Sequence, residues 1–263
     1  MAFADARKTR GHYLAEVVRS ERVTPHMQRV TVAGDELTRL PRHGFDQWFR
    51  LFLPREDGTT DFDAVPEGFG MAGYLKYLMA SSHTRPLFRA YTVRGHRPES
   101  GEVDIDFVAH GDAGVAGPWA QRAQRGERVM LLDQGRGFEP HPSGEYLLVG
   151  DESALPAVAG ILRDLPRDAR GIALVEIPDP DDAQPLEAPE GVEVRWLPRA
   201  DPLAQPGRLA LETLRTIAPV LPVGVYIAGE QTLAAEGRRH LVAAGVPKHD
   251  IAFTGYWKVG RAG

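Results

Sequence analysis

The chain contains no cysteine. Disulfide staples, thiolate zinc sites, iron–sulfur clusters and cysteine nucleophiles are therefore excluded, and a reducing compartment is its natural setting. No apolar run approaches the ~20 residues needed to cross a bilayer. Met1 to Arg10 is charged and lacks the apolar core of a secretory signal. These absences predict a soluble, cytoplasmic protein that is not integral to a membrane. A basic surplus is also missing, with 31 Lys and Arg against 36 Asp and Glu, net charge -5. Nucleic-acid binding by counterion release is not expected from such a balance. Neither the G-x-G-x-x-G fingerprint nor a Walker loop occurs, and the nine histidines are scattered without an H-E-x-x-H run, so no metal site is expected.

What is present is enough chain for two domains. The 263 residues exceed one compact unit of ~100–150 residues. Apolar residues make up 43% and charged residues 25%, an ordinary globular balance.

The first half reads as short strands. Tyr13 to Val18, Met27 to Val32 and Trp48 to Leu53 are rich in β-branched and aromatic residues. Val103, Ile105 and Phe107 alternate with Glu102, Asp104 and Asp106, the period of a strand with one wet face. Arg128 to Leu132 closes the series, and turn residues such as Gly34-Asp35 and Pro98 to Gly101 separate the runs. Asp57 to Pro86 interrupts the rhythm as a long insertion with a helical Tyr74 to Met79. Short strands in series predict an antiparallel barrel or sandwich.

The second half changes period. Strand-length segments at Tyr146 to Val149, Ile172 to Ile177, Val192 to Leu197 and Val225 to Ala228 alternate with helical patterns at Ala154 to Leu165, Leu209 to Ile217 and Leu233 to Ala244. Continuous apolar strands between helices mean a parallel sheet covered on both faces. The boundary falls near Pro140 to Gly144, giving domains 1–140 and 141–263.

Five segments carry chemistry. In Arg89-Ala90-Tyr91-Thr92-Val93-Arg94, one strand offers a cation for a diphosphate, an aromatic face for a ring and a hydroxyl. Alternation puts Arg89 and Tyr91 on one face and Thr92 on the other, and an ordinary barrel strand with Tyr91 packed reads equally well. From Asp106 to Ala120 a strand passes through a glycine-rich turn into a helix near Pro118, where free N–H groups suit a diphosphate. Trp119 stacks on a cofactor or joins the core. Gly150 to Ala157 follows the first parallel strand, at the sheet edge where α/β ligands bind. Its Asp151 and Glu152 would repel phosphates. Tyr226 to Glu230 ends another strand, and Gly255 to Gly260 pairs Tyr256 and Trp257 with Lys258 near the end of the sequence. That last segment covers a ligand or is a tail strand packed on the sheet.

RAYTVR at 89–94, DFVAHGDAGVAGPWA at 106–120, GDESALPA at 150–157, AGE at 228–230 and GYWKVG at 255–260 resemble, in this order, the siderophore-interacting protein family of FAD-dependent ferric-siderophore reductases. The resemblance implies a ferredoxin-reductase-like architecture: an FAD-binding antiparallel Greek-key β-barrel, then an α/β parallel-sheet, nucleotide-binding-like domain. It implies a cofactor site of Arg89, Ala90, Tyr91, Thr92, Asp106, Val108, His110, Ala113, Val115, Ala116, Trp119, Asp151, Ser153, Ala154, Tyr256 and Trp257. Thr92 lies near the ring and Arg89 toward the phosphates. Asp151, Glu152, Gly229 and Glu230 would face the nicotinamide dinucleotide. Pro118 departs from the small or basic residue expected before the tryptophan.

Reductive iron release is the implied reaction. Electrons pass from NADH, NADPH or ferredoxin through FAD to siderophore-bound Fe(III), and Fe(II) suits hard oxygen ligands less well. No catalytic acid or base is required. Anionic ferric siderophores call for a basic cleft, for which Arg50, Lys76, His83, Arg85 and Lys258 are the candidates, in a chain expected to be monomeric. A general flavin or ferredoxin reductase and a non-catalytic siderophore-binding flavoprotein are the competing readings.

Overall fold

The computed structural model describes residues 11–66, 70–109, 114–201 and 204–260. The amino-terminal half builds strands β1 (His12–Thr24), β2 (Met27–Ala33), β3 (Trp48–Leu53), β4 (Leu87–Thr92), β5 (Gly95–Arg97), β6 (Glu102–Val108) and β7 (Arg128–Asp133). Helices α1 (Met71–Met79) and α2 (Ala116–Arg122) interrupt them. All seven strands form one antiparallel sheet in the order β4-β3-β7-β1-β2-β6-β5, the winding of a Greek key. The sheet curls until its ends meet. Arg94 N–H donates to Asp104 O at 3.0 Å, and the Tyr91 and Phe107 rings lie 4.4 Å apart. Inside, Val30, Val32, Leu51, Val103, Ile105, Phe107, Val129 and Leu131 pack as one core.

The period of two at Val103, Ile105 and Phe107 therefore points into the barrel. The other face of β6 is not wet, contrary to its polar sequence. Asp104 is held by Arg97 at 2.6 and 2.8 Å and by Thr31 at 2.8 Å, and Asp106 by Arg29 at 2.6 and 2.8 Å. Neighbouring strands supply the counter-charges that let these carboxylates be buried. At Gly34-Asp35 a short 3-10 helix, Asp35–Arg39, replaces the expected turn.

The second half contains β8 (Glu145–Gly150), α3 (Leu155–Asp164), β9 (Arg170–Ile177), β10 (Gly191–Pro198), α4 (Arg208–Leu214), β11 (Gly224–Glu230), α5 (Gln231–Ala243) and β12 (Ile251–Trp257). Its five strands are all parallel, in the order β10-β9-β8-β11-β12. The chain moves outward from β8 in one direction through β9 and β10, then returns to β11 on the other side. Between β8 and β11 the order reverses, and such a switch point opens a crevice at the carboxyl ends of the strands. Apolar clusters cover both faces, one around α3 and one around α4 and α5. Among the described residues no helix is long and apolar enough to cross a membrane.

Candidate functional site

The edge of the barrel that meets the switch point is β4. Register pairs Ala90 with Arg50 and Thr92 with Trp48. Tyr91 turns toward Phe107, and burial pushes its hydroxyl pKa up. Thr92, the last residue of β4, is buried on the opposite side within hydrogen-bonding reach of the Tyr256 hydroxyl. The alternation seen in the sequence is therefore real, and it aims Thr92 at the second domain. Arg89 is half-buried, with Nη1 donating to Phe88 O at 2.8 Å. A guanidinium has five donors, and among the described residues one of those of Arg89 is engaged, on Phe88 O.

The glycine-rich turn divides. His110 and Ala113 lie outside the described residues. Helix α2 starts at Ala116, so Pro118 is its third residue and not its first. Its missing N–H still falls among the first four that a helix leaves unpaired, so no intrahelical bond is lost. Gly114 takes φ +84° with open space beside its Cα. Val115 and Ala116 pack against the barrel core, and Val108 packs on the apolar cluster of the second domain.

Two expected cofactor residues are engaged elsewhere. Trp119 joins the core against Phe107 at 5.7 Å, and its Nε1–H donates to Glu127 at 3.0 Å. A buried tryptophan N–H usually finds such a partner. Asp106 pairs with Arg29 and lies 3.4 Å from Arg94, so its carboxylate is a barrel brace.

At the switch point Asp151 is fully buried. It accepts from Ser153 N–H and Oγ, at 2.9 and 2.5 Å, from Glu230 N–H at 2.6 Å and from Trp257 Nε1–H at 3.3 Å. Burial and the neighbouring Glu152 carboxylate push its pKa up to about 7. Only glycine fits at 229: φ is +124°, and a Cβ there would stand 2.5 Å from the Asp151 carboxyl carbon. Glu230 caps α5 through Thr232 N–H. Ala154 is buried beside this loop, with its N–H on Asp151 O at 2.9 Å.

Glu152, expected with Asp151 to repel phosphates, is paired with a cation in the structure. Both Glu152 oxygens are held at 2.8 Å by Arg199, which also reaches Glu176 at 3.0 Å. Glu176 further accepts from Gly207 and Ala210 N–H groups. Sequence reading passed over Arg199 and Glu176. An acid inside the apolar run Ala173 to Ile177, and a cation just past the end of β10, were the available signals.

The carboxyl-terminal segment is a tail strand, β12, beside β11, as one of its two readings held. Its last residues nevertheless stand at the site: the Tyr256 and Tyr226 hydroxyls are 2.7 Å apart, and Trp257 reaches Asp151. Lys258 follows, exposed.

The basic candidates separate. Arg50 lies over the Phe88 ring at 5.6 Å. Arg85 lies over Tyr77 at 4.8 Å and donates to Leu78 O at 3.0 Å, so it closes the end of α1. Lys76 is exposed on α1, and His83 contributes its backbone carbonyl to Thr59.

A two-domain crevice with an antiparallel barrel on one side and a five-stranded parallel sheet on the other is now defined. Two family models cover it: one described as the siderophore-interacting FAD-binding domain matches residues 16–137, and one described as siderophore-interacting protein matches residues 143–260. The chain belongs to the siderophore-interacting protein family.

Relatives in that family cover nearly the whole chain. An uncharacterised Mycobacterium tuberculosis protein is 37% identical over 260 residues, 94% of this chain and 90% of its own. Ferric vibriobactin reductase of Vibrio cholerae is 31% identical over 252 residues, 94% and 90%. NADPH-dependent ferric-chelate reductase of Escherichia coli is 29% identical over 245 residues, 92% and 91%. The crystal structure of a siderophore utilization protein from T. fusca aligns with TM-score 0.83 and 34% identity over 96% of this chain and 94% of that one. The ferredoxin reductase of carbazole 1,9a-dioxygenase, 21% identical with TM-score 0.63 over 94% and 70%, shares the fold.

Proposed function

We propose that this siderophore-interacting protein is an FAD-dependent reductase of ferric siderophores, supplied with electrons by NADH, NADPH or ferredoxin. The observation that carries the reading is the meeting of Thr92, from the barrel edge, with Tyr256, from the far side of the switch point. This junction joins the two halves that flavin-mediated electron transfer requires. FAD, when bound, accepts two electrons from the donor and passes one to each of two Fe(III) centres. The residues at hand fit it: Arg89 has donors for the diphosphate, Ala90 is exposed, and Tyr91 and Thr92 lie alongside. The coupling of Asp151, Gly229 and Glu230 shapes the floor of the crevice that receives the electron donor.

Substrate recognition falls to cations near the cleft, with Lys76 and Lys258 exposed and Arg50 beside α1. Fe(II) binds hard oxygen ligands more weakly than Fe(III) and is released. A Lys76→Ala, Lys258→Ala double variant is expected to keep FAD and to weaken binding of an anionic ferric siderophore by about tenfold, the scale of two partly exposed charge contacts. Titration of flavin fluorescence measures it, and unchanged affinity would remove these lysines from the site.

A further inference from the structure

Away from the crevice, a cavity of about 200 Å³ opens between the domains. It is lined by Arg42, Phe45 and Gln47 from the loop before β3, by His96 and Arg97 of β5, and by Arg163 of α3. Helix α3 starts beside the loop after β8, and Arg163 lies in its last turn, so the cavity stands roughly 12 Å down the helix from the crevice.

The fold itself holds the loop wall. Gly44 and Phe45 take φ +68° and +52°. A left-handed phenylalanine is strained and persists only where its surroundings over-determine it. Here Phe45 N–H donates to Asp164 at 2.6 Å, its ring packs 5.5 Å from Phe138, and its carbonyl rests against Gly160 of α3, where a Cβ would collide with it. The next residue, Asp46, is buried and accepts from Gly137 and Phe138 N–H at 3.1 and 2.8 Å.

Three arginines line this space, and two of them are balanced. Arg163 is held by Asp164 at 2.8 Å through Nε and Nη2. Arg97 is held by Glu102 at 2.8 Å and by Asp104 at 2.6 and 2.8 Å. Arg42 is exposed, and among the described residues no carboxylate stands within ion-pair distance of it. The lining therefore carries one uncompensated cation.

His96 adds a selective element. Its Nε2 lies 3.3 Å from Leu37 O, which only accepts, so Nε2 carries the hydrogen. Burial lowers the pKa of the ring, with Arg42 and Arg97 acting in the same direction against Leu37 O and Glu99. In the neutral ring Nδ1 is then a bare lone pair, and it is buried with no hydrogen-bond partner among the described residues. A buried acceptor without a donor is costly. An occupant that suits both groups brings an anionic oxygen to Arg42 and an O–H to Nδ1. Hydrogen phosphate has both, whereas sulfate at neutral pH has the charge and no hydrogen. We propose that the cavity binds a hydrogen-phosphate group, with Arg42 supplying the charge and His96 accepting from the P–OH. The group comes either as inorganic phosphate or as a small phosphate monoester, and in place it ties the barrel to α3.

The test is calorimetric titration at constant ionic strength, with FAD present, using inorganic phosphate, glycerol phosphate and sulfate. At least one of the two phosphates is expected to bind about tenfold more tightly than sulfate, the scale of one hydrogen bond to a buried group. The tighter of the two identifies the source. Arg42→Ala is expected to weaken that binding by about tenfold and to leave FAD uptake unchanged. His96→Phe should bring phosphate down to the level of sulfate. Arg42 is exposed, so its alanine variant carries the test even where the His96 variant fails to fold. Equal binding of phosphate and sulfate, phosphate binding that survives Arg42→Ala, or no binding of either phosphate would overturn the assignment.

Discussion

A single buried carboxylate shows how the site stores free energy. Asp151 is closed off from water at the switch point, with its pKa raised to about 7 by burial and by Glu152. An unfolded aspartate titrates near ~3.9. Between those values the folded chain holds a proton that the unfolded chain has lost, so Asp151 makes stability fall as pH rises from about 4 to about 7, with no further change above. Denaturant unfolding of wild type and Asp151→Asn across that range is expected to show a difference that narrows with rising pH. Parallel pH profiles would contradict it. Gly229 is tied to the same carboxylate, since only a residue without a Cβ leaves room for it.

At the scale of the element, the end of β9 is pinned by one arginine. Arg199 joins Glu152, after β8, to Glu176, within β9, and Glu176 in turn holds the backbone at the start of α4. Arg199→Ala leaves two buried carboxylates without their cation. A loss of ~3–5 kcal/mol is expected, read as a lower denaturation midpoint, and FAD affinity should change far less. An unchanged midpoint would mean that water replaces the guanidinium.

Such elements also mark what was legible in the sequence. Strands β8 and β11 were legible because each carries a continuous apolar run, and β6 because Val103, Ile105 and Phe107 keep a strict period of two. The burial of Asp104 and Asp106 was not, because it depends on arginines that neighbouring strands bring from Arg29, Arg94 and Arg97. At the site, the local sequence singled out Arg89, Tyr91, Thr92 and the loop after β8 without fixing their roles, which only the family resemblance implied. Trp119 was ambiguous because its environment is set by Phe107 and Glu127, and the burial of Asp46 was invisible because its backbone partners lie 91 and 92 residues away in Gly137 and Phe138.

For the whole molecule, the proposed reaction needs the two domains to be held together at their junction. Asp182, from the loop after β9, accepts from Thr24 Oγ1 and His26 N–H at 2.8 Å, and the Phe45 loop seats on α3. Met27 and Val108 of the barrel pack into the core of the second domain. These contacts fix the barrel against the parallel-sheet domain. The most direct test is an anaerobic single-turnover experiment on the FAD-loaded protein, in which NADH, NADPH or reduced ferredoxin is added first and a ferric siderophore with a ferrous chelator second. Flavin absorbance should bleach with at least one donor, then recover as two Fe(II)–chelator complexes appear per flavin, as electron balance requires. A flavin that bleaches but yields no Fe(II) with any ferric siderophore would contradict the reductase account.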